Sequence, residues 1–150
     1  MAATYSKIQR NFWETDTARD MTPEEKYFWL YLQTNANVNT LGCYVFRMRR
    51  AQDETGYNRE TLEKLLAKLE QGGRIYYDGQ TGEVFLRHWS EISWGRKTAT
   101  LRAIAGDWKE VQSGRLRQLV GALLAESGIL TEGGEPKTQA AAEMGGALCI

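Results

Sequence analysis

Histidine, cysteine and proline are nearly missing from this chain of 150 residues, which has one histidine (His88), two cysteines (Cys43 and Cys149) and two prolines. A single histidine with two distant cysteines makes no zinc-ligand set of recognisable spacing. Two thiols, one of them next to the last residue, make no disulfide framework and fit a reducing compartment. No stretch reaches the roughly 18 apolar residues that a membrane span requires, and the first twenty residues lack the apolar centre of a signal peptide. The protein is therefore expected in the cytoplasm, away from membranes. Net charge is absent as well, because 19 Lys+Arg balance 19 Asp+Glu. Any affinity for nucleic acid must then come from a local patch rather than from bulk charge.

Several enzyme signatures are also missing. There is no G-x-x-x-x-G-K-S/T phosphate loop, no G-x-G-x-x-G following a strand and no G-x-S-x-G elbow, so nucleotide hydrolysis, dinucleotide binding and hydrolase chemistry lack their parts. Carboxylates are plentiful but fall mainly on helix starts and polar faces, where no acid, base and nucleophile assemble. The expectation is a protein that is not an enzyme and needs no metal or cofactor.

What is present is a readable order of elements. Residues 1–20 form a polar arm relieved by Tyr5, Ile8 and the pair Phe12–Trp13, whose rings are costly to leave in water. The arm is expected to dock on the body or on a second copy, with Phe12 and Trp13 as contact residues. Thr22-Pro23-Glu24-Glu25 reads as a capping box with proline in the first turn, opening a helix to about Gln33. An asparagine-rich loop, Thr34 to Asn39, leads into a short strand at Gly42–Phe46. Met48–Glu54 reads as a short helix, broken by Thr55-Gly56-Tyr57. Asn58 caps a further helix whose Leu62, Leu65, Leu66 and Leu69 make one apolar stripe, stopped by Gly72-Gly73. Arg74–Asp78 and Glu83–His88 read as strands joined by the turn residues Gly79-Gln80-Thr81-Gly82.

Two short helices across a glycine turn, followed by a hairpin, predict an α+β, mainly helical chain built on a winged helix-turn-helix over residues 21–95. A C-terminal helical extension over 96–128 is marked by Leu101, Ile104, Ala105, Trp108 and Val111. It continues with Leu116, Leu119, Val120, Leu123 and Leu124, capped at Ser113. Residues 129–150, rich in glycine and alanine without periodicity, are expected to be a disordered tail.

The residues Phe12-Trp13-Glu14, Met21-Thr22-Pro23-Glu24-Glu25-Lys26-Tyr27 and Thr34-Asn35-Ala36-Asn37 follow one another in an order that resembles a known family. Together with Gly42-Cys43-Tyr44, the Thr55-Gly56 turn and the stretch up to His88-Trp89, they are similar to the N-terminal domain of phage replisome organisers and DnaD-like replication proteins. The resemblance implies a winged helix that binds origin DNA or organises helicase loading. It also implies a helicase or helicase loader as partner and possible self-association. Relatives often carry a second domain, whereas this sequence continues into a short Gly/Ala stretch.

Candidate DNA contacts follow from residue chemistry. Arg47, Arg49 and Arg50 bring three guanidiniums to one strand-to-helix corner, suited to phosphates. The nominal recognition helix offers Asn58, Arg59, Lys64 and Lys68, yet Glu60, Glu63 and Glu70 offset its charge. Arg74, Gln80 and Arg87 are expected at the wing tip, to lie along a groove or backbone. Arg96 and Lys97 open the most basic stretch, residues 87–117, where seven basic residues stand against three acidic ones. Trp89 and Trp94 either stack on single-stranded bases or serve the core, with the core favoured. His88 reads as a wing residue.

The leading expectation is a non-catalytic replication-initiation adaptor that binds duplex or single-stranded DNA. Two rivals are a primosome scaffold that never touches DNA and a winged-helix transcriptional regulator reading a palindrome.

Overall fold

The computed structural model describes residues 5 to 129. A 3-10 turn, Arg10–Glu14, and a short helix α1, Asp16–Asp20, form the arm. Helix α2, Pro23–Thr34, begins with the expected capping box: Thr22 Oγ1 accepts the Glu25 N–H at 3.2 Å and Glu25 Oε2 accepts the Thr22 N–H at 3.2 Å. Strand β1, Cys43–Val45, leads into α3, Met48–Thr55. Gly56 ends α3 with φ +82°, a left-handed conformation that glycine adopts without the Cβ penalty. Asn58 then caps α4, Arg59–Gln71, its Oδ1 accepting the Thr61 N–H at 2.8 Å.

Strands β2, Ile75–Asp78, and β3, Glu83–Leu86, pair antiparallel with Asp78 opposite Glu83, so the turn is Gly79 to Gly82. β1 pairs antiparallel with the other side of β3, Cys43 opposite Phe85, giving the sheet order β1-β3-β2. The chain continues through α5, Trp89–Ile92, α6, Thr98–Lys109, and α7, Gly114–Glu126. The expected α+β, mainly helical class is present, with seven α-helices and one three-stranded sheet among the described residues.

Two details differ from expectation. The second hairpin strand ends at Leu86, because His88 has helical backbone and begins the unforeseen turn α5. Of the tail expected from residue 129, only Ile129 lies within the described residues, and it is buried against the α6–α7 core.

The sheet is covered on both faces. Tyr44, Val84, Leu86 and Ile75 point into a core with Phe28, Trp29 and Leu32 of α2 and the leucine stripe of α4. Their strand neighbours Cys43 and Phe85 point the other way, against Leu101 and Ile104 of α6 and Leu116, Val120 and Leu124 of α7. Strand side chains alternate between faces, so β3 is buried along its whole length only because each face has its own helical layer. The C-terminal helices therefore share a core with the sheet.

Both outer sheet edges are closed by side chains. On β2, the Tyr77 N–H donates to Glu70 Oε2 at 2.7 Å and the Tyr77 carbonyl accepts from Arg115 Nη2 at 2.9 Å. On β1, the Cys43 carbonyl accepts from Asn39 Nδ2 at 2.8 Å and its N–H donates to Asn39 Oδ1 at 3.2 Å. Occupying these backbone groups denies another strand a place to pair.

Candidate nucleic-acid interface

The arginine corner is where the sequence places it. Arg47 precedes the first turn of α3, Arg49 and Arg50 follow within that turn, and all three are exposed. The corner is held beside the hairpin turn, because the Phe46 N–H donates to the Gly82 carbonyl at 2.8 Å. Gln80, exposed in that turn, lies on the same side of the sheet's end.

The three arginines are not equivalent. Arg50 pairs with Glu54 at 3.4 Å, and Glu54 also accepts the Tyr31 hydroxyl at 2.8 Å. Burial, followed by the hydrogen bond to Glu54, pushes the Tyr31 phenol well above its ordinary range, so it stays protonated as a donor. Among the described residues no ion pair holds Arg47 or Arg49. Two uncompensated guanidiniums and one shared with a carboxylate make up the corner.

The outer face of α4 neutralises itself. Arg59 pairs with Glu63 at 2.9 Å and Lys64 with Glu60 at 3.3 Å, all four side chains being more than half exposed. Asn58 is engaged as the helix cap, and Lys68 is exposed in the last turn, where a cation complements the helix dipole.

The other candidate residues of the hairpin separate. Antiparallel pairing puts Arg74 and Arg87 at the open base of the hairpin, bonded to each other through backbone at 3.1 Å, rather than at its tip with Gln80. A four-residue strand lies between, roughly 13 Å at the usual rise. The Arg87 guanidinium donates to the Gly73 carbonyl at 2.8 Å and stacks over the Tyr76 ring at 4.7 Å.

The basic stretch 87–117 also disperses. Arg96 donates to the Ser127 carbonyl at the end of α7, and Arg115 is clipped to the β2 edge beside the start of that helix. Arg117 stacks on Trp108 at 4.6 Å, and Lys97 is exposed before α6. Charges that are close in sequence are thus spread along the roughly 20 Å length of α7.

The tryptophans after the hairpin are structural. Trp89 is buried with its indole N–H on the Asn39 carbonyl at 3.1 Å, and half-buried Trp94 donates to the Leu41 carbonyl at 2.9 Å. His88 lies against Trp29, ring centroids 4.7 Å apart, with Nε2 at 3.2 Å from Gln33 Oε1. Burial lowers its pKa to about 4. The Gln33 amide donates to the Trp29 carbonyl, so its oxygen faces His88, which carries its proton on Nε2. Cys43 is equally inert: desolvation, reinforced by the charges of Glu83 and Asp107, pushes its thiol up to about 12.

In the arm, Phe12 packs against the α2–α4 core, whereas Trp13 is 61% exposed with Lys26 over its ring at 5.7 Å. Among the described residues no group of acidic, histidine and cysteine side chains could hold a metal ion. Nor is any described helix long and apolar enough to cross a membrane.

Sequence reasoning missed Glu83, which is 2% exposed and accepts backbone N–H groups of Gln112 at 2.9 Å and Ser113 at 2.6 Å. Asp78 assists by accepting the Ser113 hydroxyl at 2.5 Å, a bond that holds its carboxyl below the usual range. No local pattern marks this pair, because their partners lie some thirty residues further along the chain.

Comparison with protein-family models, with curated proteins and with solved structures gives no match to the chain.

Proposed function

We propose that α2 to β3 is a winged helix and that the protein is a DNA-binding adaptor, non-catalytic, acting in the initiation of replication. The observation that carries the DNA reading is the corner at Arg47 and Arg49. Two exposed guanidiniums without carboxylate partners stand at the start of a helix, held against a hairpin turn by the Phe46–Gly82 hydrogen bond. Such groups gain from phosphate contact through released counterions and lose no internal ion pair in doing so. The self-paired face of α4 supports backbone binding with little base discrimination. Support for replication in particular comes from the residue-order resemblance to replisome organisers.

A fluorescence-anisotropy titration of duplex DNA across salt concentrations tests the reading. Arg47→Ala with Arg49→Ala should weaken binding and reduce the log–log salt slope by about 2, one phosphate contact each. Wild-type protein that fails to bind, or binds without salt dependence, overturns it.

The scaffold reading has its own observation. Tyr5 and Trp13 of the arm and Tyr27 of α2 are 74%, 61% and 47% exposed, an aromatic surface that solvation alone does not require. If contact with a replication protein is the function, Trp13→Ala abolishes capture of a purified helicase or loader while leaving DNA affinity intact.

A further inference from the structure

A cavity of about 410 Å³ lies between the arm, α2, the α4–β2 turn and α5, well away from the arginine corner. Its size falls in the usual range for small-molecule sites. Its apolar and aromatic lining is Ile8 and Phe12 of the arm, Trp29 of α2 and Ile92 of α5. Its charged lining is two arginines, Arg74 and Arg87, and one carboxylate, Glu91.

Arg87 is the group that gives this cavity a chemistry. Its guanidinium is held in place by the Gly73 carbonyl and the Tyr76 ring, and no carboxylate pairs with it among the described residues. Gly73, at φ +75°, permits this approach, since a Cβ there would stand 3.1 Å from Arg87 Nη1. One of the five guanidinium N–H groups is used by Gly73, which leaves the others for an anion. A fixed, uncompensated cation beside aromatic walls is preorganised, so little entropy is lost in holding a ligand. Of the remaining polar lining, His88 and Gln33 are engaged in a mutual hydrogen bond, and Gln9, Asn11 and Thr15 add no charge.

We infer that this cavity binds a small aromatic anion, its flat ring against Phe12 and Trp29 and its carboxylate, sulfonate or phosphate on Arg87. The arm supplies one wall, so an occupied site holds the arm against the body. The site is independent of the DNA reading, because none of the residues named for the corner contributes to it.

His88 is the only histidine of the chain and lines the cavity, so its ring gives one assignable NMR signal at the site. The full chain is titrated with 2-naphthoate and, in parallel, with its neutral amide, following the His88 signal and trypsin cleavage after Lys7 and Arg10. The expected result is a saturable shift with one naphthoate per chain, slower cleavage in the arm, and the amide weaker by about tenfold, the scale of one charge-assisted hydrogen bond. Arg87→Gln should lower naphthoate affinity by a similar factor and leave the amide unchanged, whereas Arg47→Ala should change neither. No saturable shift, or equal affinity of the wild type for the acid and the amide, overturns the proposal. The two probes on unaltered protein decide it even if Arg87→Gln fails to fold.

Discussion

At the scale of single residues, the chemistry of this protein is set by which charges are already answered. Arg50 has Glu54 beside it, and Glu54 is held in turn by Tyr31, whereas Arg47 and Arg49 have no such partner. On the proposed DNA reading, Glu54→Gln removes the carboxylate and should steepen the salt dependence of binding by about one phosphate contact. Stability should change by less than about 1 kcal/mol, since the pair is exposed; urea midpoints check this. His88 makes a pH prediction. Its folded pKa, about 4, lies below the ordinary 6.5 because burial penalises the charged ring. Between those values the unfolded chain binds the proton more readily. Stability is therefore complete above about pH 6.5 and falls as the pH drops towards 4, by up to about 3 kcal/mol. Urea melts at pH 7 and pH 4.5 measure the loss, and His88→Gln should remove most of it, leaving the carboxylate contribution. The sequence did not show its surroundings: a lone histidine near a hairpin says nothing of Gln33 or Trp29 beside it, nor of α5, which it caps.

At the scale of elements, local signals and their outcomes agree closely where the physics is local. The Thr22 capping box, the Gly56 stop and the Asn58 cap all act over three or four residues, and all three are made. Asn58→Ala should cost about 1 kcal/mol in thermal or urea unfolding. Asn58→Ser keeps a cap and should recover most of it; a loss of DNA affinity in both variants at equal stability would give Asn58 a contact of its own. The hairpin was legible as two strands and a turn, but the distance between Gln80 at the tip and Arg74 and Arg87 at the base follows from antiparallel register. Likewise, α6 passes through Gly106 without interruption because that position is exposed and its neighbours Ala105 and Asp107 tie the helix to the sheet side.

At the scale of the whole molecule, Glu83 joins the two halves. Its buried carboxylate ties the start of β3 to the backbone before α7, and Asp78 secures Ser113 from the paired strand. Removing one partner of a buried charged network leaves N–H groups unanswered, so Glu83→Ala should destabilise by about 3 kcal/mol. The loss should appear in near-ultraviolet circular dichroism as a loosening of Trp108, which is packed between α6 and α7. A variant as stable as the wild type would remove Glu83 from this role. The same layering occupies several of the cations that sequence places near one another. Arg96, Arg115 and Arg117 are used to fasten α7, and Arg59 and Lys64 are paired on α4.

The sequence by itself determined the mixed class, the order of elements from α2 to α7 apart from α5, the helix caps and stops, and the exposed arginine corner, because each depends on residues within a turn or two of one another. Tertiary structure alone decided the second core on the far face of the sheet, the separation of the hairpin residues, the neutral state of His88 and the cavity at Arg87. Each of these depends on partners brought from distant parts of the chain, such as Glu83 with Ser113 or Trp89 with Asn39. Periodicity reports which face of a helix is apolar; what covers that face is settled only by packing.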